Sequence, residues 1–183
     1  MTPDLACLGK SMANGFPLSA IVGRADIMSG FNKVFFSTTH GGEALSLAAC
    51  LATLNEIRHM DVVSHLWRVG TRLKEETNRL LENNRISDFV ACIGLPPWTG
   101  LRFRDAQGND SLLLRSLFQQ EVLKRGLLTH GNHMLMFSHD EATIEETLGI
   151  YAEAFEILAD AIREGQVEQR LEGTPVQSIF REV

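Results

Sequence analysis

The sequence predicts an α/β protein, and three observations carry that expectation. Short apolar runs of strand length lie at residues 5–8, 19–23 and 89–94, long segments of helical periodicity start at Glu43 and Asp61, and changes of pattern fall at glycine, proline or asparagine. With 183 residues the chain can bury one substantial core and a smaller second layer.

The elements follow in order. Residues 5–8 read as a short buried strand ending at Gly9, with Lys10 just beyond, where side chains of α/β proteins reach a ligand crevice. Residues 11–17 contain Gly15 and Pro17 and read as loop, residues 19–23 as a second strand, and residues 24–28 as a helical turn before Gly30. Residues 34–36 are briefly apolar, and residues 37–42 are polar and glycine-rich. From Glu43, Leu45, Ala48, Ala49, Ala52, Leu54 and Ile57 recur at helical spacing. Asp61 is expected to cap a second helix that buries Val62, Leu66, Val69, Leu73, Leu80 and Leu81, turns Arg72, Lys74, Glu75 and Glu76 outward, and ends near Asn83 and Asn84. A strand at residues 89–94 is broken by Pro96 and Pro97, and residues 101–104 alternate at strand period. Turn chemistry fills residues 105–110, and an amphipathic helix over residues 111–125 closes at Gly126. Residues 127–129 and 134–137 read as two short strands, with Met134 and Met136 in the core. The last helix, entered through residues 138–140, turns Ile144, Leu148, Tyr151, Phe155, Leu158 and Ile162 inward. The tail after Gly165 has weak periodicity and is expected to be ordered only by a neighbour.

Composition narrows the function. The net charge is −6 and no run of lysine or arginine occurs, so a nucleic-acid partner is not expected. No stretch reaches the roughly 18 apolar residues of a membrane span, and the expected location is cytoplasmic. Cys7, Cys50 and Cys92 are far apart and read as reduced thiols, neither a disulfide framework nor a metal box. His130, His133 and His139 have no partner fixed by spacing and read as turn or surface histidines, so no metal site is expected. Arg102 and Arg104 share one face of a strand, where one could receive a carboxylate or both could face solvent.

Two places carry chemistry. A partly desolvated lysine at a strand end, such as Lys10, is an amine nucleophile suited to Schiff-base formation, although the position also fits a lysine pointing into solvent. Gly9-Lys10-Ser11 is no P-loop, since the glycine required four residues before the Gly-Lys pair is Asp4. Thr39, with Gly41, Gly42 and the following helix N-terminus, offers a hydroxyl and amides to an anion such as phosphate, or else a plain helix entry.

Pro3-Asp4-Leu5-Ala6-Cys7-Leu8-Gly9-Lys10, followed by Gly15-Phe16-Pro17-Leu18-Ser19-Ala20-Ile21-Val22-Gly23, resembles the cofactor-lysine region of class III aminotransferases and glutamate-1-semialdehyde aminomutases. Thr39-His40-Gly41-Gly42 resembles the same family's threonine loop. The resemblance implies the C-terminal part of a fold-type I transferase dependent on pyridoxal 5'-phosphate (PLP). It divides the chain into the remainder of a large PLP-binding domain (1–60), a connecting helix (61–84), a small C-terminal α/β domain (85–165) and a tail (166–183). It implies that Lys10 is catalytic and bonds the cofactor, that Thr39 and Gly41 are cofactor-binding, and that Thr39 serves the neighbouring subunit's cofactor in a homodimer.

Two departures stand out. Glu43-Ala44 replaces the Asn-Pro or His-Pro of many members, and residues 129–139 contain no arginine to receive a substrate carboxylate. Members also place a pyridine-nitrogen aspartate, a ring-stacking aromatic and a further phosphate loop ahead of the lysine, where this sequence has nine residues. The implied activity is therefore transamination between amino and keto or aldehyde substrates, with the 183-residue chain alone expected to be inactive. The alternatives are intramolecular amino transfer of the aminomutase kind and a non-catalytic, truncated or dimerising fragment.

Overall fold

Pairing in the N-terminal part is local, because Gly15 and Pro17 sit between two runs of strand length. The computed structural model describes residues 2–36 and 39–177, so what was expected of residues 37–38 and of the last six tail residues lies outside the described residues. The chain divides into two compact units, Met1–Val63 and Ser64–Val183.

In the first unit β1 (Leu5–Leu8) pairs antiparallel with β2 (Ala20–Gly23), in a register running from Leu5 opposite Gly23 to Leu8 opposite Ala20. Arg24 closes the open end of this hairpin: Nη1 donates to the Asp4 carboxylate at 2.8 Å, Nη2 to Asp26 at 2.6 Å, and its backbone N–H to the Asp4 carbonyl at 3.0 Å. Gly23 is required there, since a Cβ would lie 2.3 Å from the Asp4 carbonyl oxygen. A 3-10 turn over Lys10–Ala13 follows β1. After β2 come α1 (Ala25–Met28), a second 3-10 turn (Ser29–Lys33) and the long α2 (Ala44–His59).

The expectation that residues 5–8 form a buried strand is not met: Leu5 is 44% and Leu8 47% exposed. A two-stranded ladder with no covering layer among the described residues leaves both faces open. Burial concentrates where the first 3-10 turn packs on α2, at Ala13 and Ser46, while Leu45, Leu47, Leu51 and Leu54 stay exposed around the helix.

The second unit carries almost all of α3 (Val62–Asn83), then β3 (Val90–Leu95), β4 (Trp98–Phe103), α4 (Leu112–Lys124), β5 (Asn132–Met134) and α5 (Glu141–Glu164). The sheet is antiparallel, in the order β3-β4-β5. Its inner face packs on α4 and α5 through Val90, Phe103, Leu117, Phe118, Tyr151 and Phe155, all essentially inaccessible to solvent. Each such large side chain contributes roughly 1.5–3 kcal/mol by burial. Val69 and Leu73 of α3 meet Ile144 and Leu148 of α5 in a second cluster. Arg72 ties the same helices at the surface through Glu141, at 2.8 Å, and Glu145. The free edge of β3 is covered from α3, because the Asn78 side-chain amide exchanges two hydrogen bonds with the Cys92 backbone, at 2.9 and 3.1 Å. Asp140 caps α5 by accepting from the Thr143 N–H, and Gly165 ends it at φ +65°.

Several expectations are corrected here. Residues 127–129 form no strand: the Leu127 N–H is taken by the Val122 carbonyl at the end of α4, and Leu128 is 85% exposed. The last strand is Asn132–Met134, not residues 134–137, and Met134 and Met136 face solvent because the inward position of the ladder falls to His133. The tail is ordered by its own unit, with Val167 and Leu171 packed on the core and the Val176 N–H donating to Ser116 Oγ. Asp61 stands immediately before α3, at the position where a cap was expected, with φ +46°.

Candidate functional site

Lys10 leads the 3-10 turn and is solvent-exposed, the second of the two settings that its sequence position allowed. Its amine makes no hydrogen bond or ion pair among the described residues. Its backbone is unusual, at φ +50°, in the left-handed region that disfavours residues with a Cβ by roughly 1–2 kcal/mol. Strain of this kind persists where surrounding contacts impose it, and it concentrates at functional positions. The turn that Lys10 leads packs on α2, with Ala13 fully buried.

Thr39 and Gly41 both fall in the exposed turn that enters α2. Gly41 lines a cavity of about 310 Å³ with Ser19, Ile21, Met28, Phe31 and Phe36; Lys10 and Thr39 do not border it. The structure therefore joins Thr39 and Gly41 in one turn and leaves Lys10 on another element. A Cβ at Gly42 would meet nothing within 4 Å, so its backbone is open to approach by a ligand.

Sequence reasoning missed one occupant of this turn. The Glu43 carboxylate caps α2, accepting from the Leu45 N–H at 2.8 Å and the Ser46 N–H at 2.6 Å. The Ser46 hydroxyl, together with these backbone contacts, holds the Glu43 pKa below the usual carboxylate range. The helix N-terminus that was expected to receive an anion is thus already occupied by one. The remaining donors are the Thr39 hydroxyl and the amides of Gly41 and Gly42, and a glutamate directly before a helical run is the sequence signal that marks the competition.

PLP presents an aldehyde, a phosphate and a ring nitrogen. The unpaired Lys10 amine fits the first and the open glycine turn fits the second. A charge partner for the third is not supplied by Asp4 or Asp26, both held by Arg24, nor by Glu43.

The histidines behave differently from one another. His130 is exposed, and His139 receives the Met136 N–H on Nδ1 at 3.2 Å. His133, expected at the surface, is 8% exposed and uses both ring nitrogens, Nδ1 with Thr99 Oγ1 at 2.8 Å and Nε2 with the Tyr151 hydroxyl at 2.6 Å. Burial pushes its pKa down to about 4, so the ring is neutral at physiological pH. Burial likewise raises the Tyr151 hydroxyl, reinforced by nearby Cys92 and opposed by Thr129. Among the described residues no cluster of three metal-ligating side chains occurs. Nor is any helix among them long and apolar enough to cross a membrane.

The family model described as Aminotransferase class-III matches residues 1–161. The chain is 31% identical over 180 residues to the glutamate-1-semialdehyde 2,1-aminomutase of Roseiflexus castenholzii, covering 90% of this chain and 41% of that protein. It is 41% identical over 78 residues to the Halobacterium salinarum protein of the same name, covering 41% of this chain and 18% of that one. Among solved structures, the PLP internal aldimine form of the Sphingopyxis sp. MTA144 FumI protein superposes with a TM-score of 0.75 at 24% identity. That superposition covers 88% of this chain and 38% of the other, and it shows the fold, that of a fold-type I transferase. The chain thus spans about two fifths or less of the length of these relatives.

Proposed function

This chain belongs to the class-III aminotransferase family, and on that premise we propose that it carries the cofactor lysine of a PLP-dependent amino-group transfer, with Lys10 as that residue. The observation that carries the reading is an unpaired lysine amine presented from a left-handed backbone at the end of β1. Bound PLP supplies an aldehyde for amines and an electron-withdrawing ring that eases loss of a proton from the substrate carbon.

The chain's own residues do the rest. Lys10 Nζ would hold the cofactor in the resting protein and, once the amino substrate has displaced it, would act as the acid and base for a 1,3-proton shift that starts at the substrate Cα. The Thr39 hydroxyl and the amides of Gly41 and Gly42 hold the phosphate. Glu43, ionised at the entry to α2, keeps that phosphate toward the glycines and away from the helix end. In a homodimer the Thr39 turn serves the neighbouring subunit's cofactor, a reading supported by the leucines left exposed along α2. The substrates are amino and keto or aldehyde compounds. The names of the Roseiflexus and Halobacterium relatives favour a second reading, intramolecular amino transfer within one substrate.

The protein is to be incubated with PLP, reduced with borohydride and digested. A cofactor-modified Lys10 peptide, absent in Lys10→Ala, is expected; modification of other lysines with Lys10 untouched refutes the assignment. Product analysis separates the two readings, since a transaminase needs a second keto substrate and a mutase does not.

A further inference from the structure

Three residues stand side by side across the sheet of the second unit: Ile93 on β3, Gly100 on β4 and Asn132 on β5. They share the face opposite the buried core, for Ile93 is 42% exposed and Asn132 is exposed, whereas the neighbouring Thr99 and His133 are buried. The missing side chain at Gly100 leaves a hollow between the outer two. A Cβ there would approach Asn132 Oδ1 to 2.8 Å, so the Asn132 side chain leans over Gly100 and closes one side of the hollow.

This hollow is the floor of a cavity of about 280 Å³. Ile93 and Leu112 give it an apolar wall, and Arg102 from β4 and Arg115 from α4 give it two guanidinium groups. Elsewhere in the chain arginines such as Arg72, Arg125 and Arg170 are paired with carboxylates. Arg102 and Arg115 have neither an ion pair nor a side-chain hydrogen bond among the described residues, although Arg115 is half-buried. Two unpaired guanidinium forks in one cavity of a chain with net charge −6 form a local excess of positive charge. Asp110 also borders the cavity and removes one unit, leaving a net charge of one positive.

We propose that this cavity binds a small monocarboxylate, its carboxylate held by Arg102 and Arg115, and its short apolar chain against Ile93 and Leu112. Guanidinium forks match carboxylate geometry, and the single net positive charge selects a monoanion over a dianion such as hydrogen phosphate. The volume lies at the lower end of ligand pockets and admits an acid of a few carbons. The site is a property of the second unit and does not rest on any role of Lys10.

Titration of the protein with butyrate, and separately with inorganic phosphate, is followed through the backbone amide resonances of Gly100 and Asn132. Saturable shifts are expected with butyrate in the millimolar range and weaker ones with phosphate. Arg102→Gln and Arg115→Gln should each weaken butyrate by about tenfold, the loss of one charge-assisted fork. Arg104→Gln, outside the cavity, should leave it unchanged. Should Arg115→Gln unfold the protein, Arg115→Lys keeps the charge, loses the fork and is expected to weaken binding several-fold. Asp110→Asn should strengthen phosphate. No saturable shift with butyrate, shifts that survive in both arginine variants, or phosphate binding as tight as butyrate would overturn the proposal.

Discussion

Acidification should destabilise the second unit through His133. In the folded protein both ring nitrogens are hydrogen-bonded and burial holds the pKa at about 4, against 6.5 for the free side chain. The unfolded chain therefore takes up the proton first. The contribution of His133 is complete above about pH 6.5 and declines as the pH falls toward 4. The whole difference corresponds to about 3 kcal/mol, of which about 2 kcal/mol is gone by pH 5. Against a typical stability of about 5–15 kcal/mol that is enough to move an unfolding midpoint plainly. Both tryptophans, Trp67 and Trp98, lie in the same unit as His133, so urea unfolding followed by tryptophan fluorescence reports on the relevant body. The measurement is repeated between pH 7.5 and 4 on the wild type and on His133→Gln, which hydrogen-bonds but does not titrate. Carboxylates titrate in both proteins and cancel in the difference. That difference should shrink by about 2 kcal/mol between pH 7.5 and 5. A difference that stays flat over this range would falsify the description of His133 as a buried neutral ring.

Three further outcomes are expected. Lys10→Gly should exceed Lys10→Ala in stability by about 1 kcal/mol, because only glycine relieves the left-handed backbone at φ +50°; hydrogen exchange in the first unit measures this, and equal protection counts against strain. Asn78→Ala should cost about 1–3 kcal/mol and make association concentration-dependent, as light scattering would detect, since it uncovers the Cys92 backbone on the β3 edge. Mixing Lys10→Ala with Thr39→Val subunits should restore borohydride-trapped PLP at a hybrid site if Thr39 acts across subunits, and should restore none if it acts within its own.

The long helices were legible because their apolar positions repeat within the segment itself. Ile144, Leu148, Tyr151, Phe155 and Leu158 lie on one inward stripe of α5, as spacing alone indicates. Strand burial was less legible, because apolar content at residues 5–8 does not reveal whether a covering layer is present. Met134 and Met136 failed for a related reason: alternation fixes that neighbours face opposite ways but not which faces in, and His133 took the inner side. His133 itself was beyond local reading, with partners 34 and 18 residues away in sequence. Of the candidate site, Lys10 and Thr39 were legible as residue types in sequence, but the occupancy of the α2 N-terminus by Glu43 depends on a side-chain conformation that spacing does not specify.

The contact between Arg24 and Asp4 joins the strand that leads into the lysine to the end of its partner strand, with Asp4 six residues upstream of Lys10. In a two-stranded ladder a slip of one residue turns every side chain to the opposite face. Arg24 fixes the starting phase of β1, and Gly23 admits the Asp4 carbonyl only at that phase. Counting from this origin, four paired residues and Gly9 deliver Lys10 at a set angular position. The pair works like the index mark on a dial, so that two surface charges set the direction in which the Lys10 side chain leaves the hairpin.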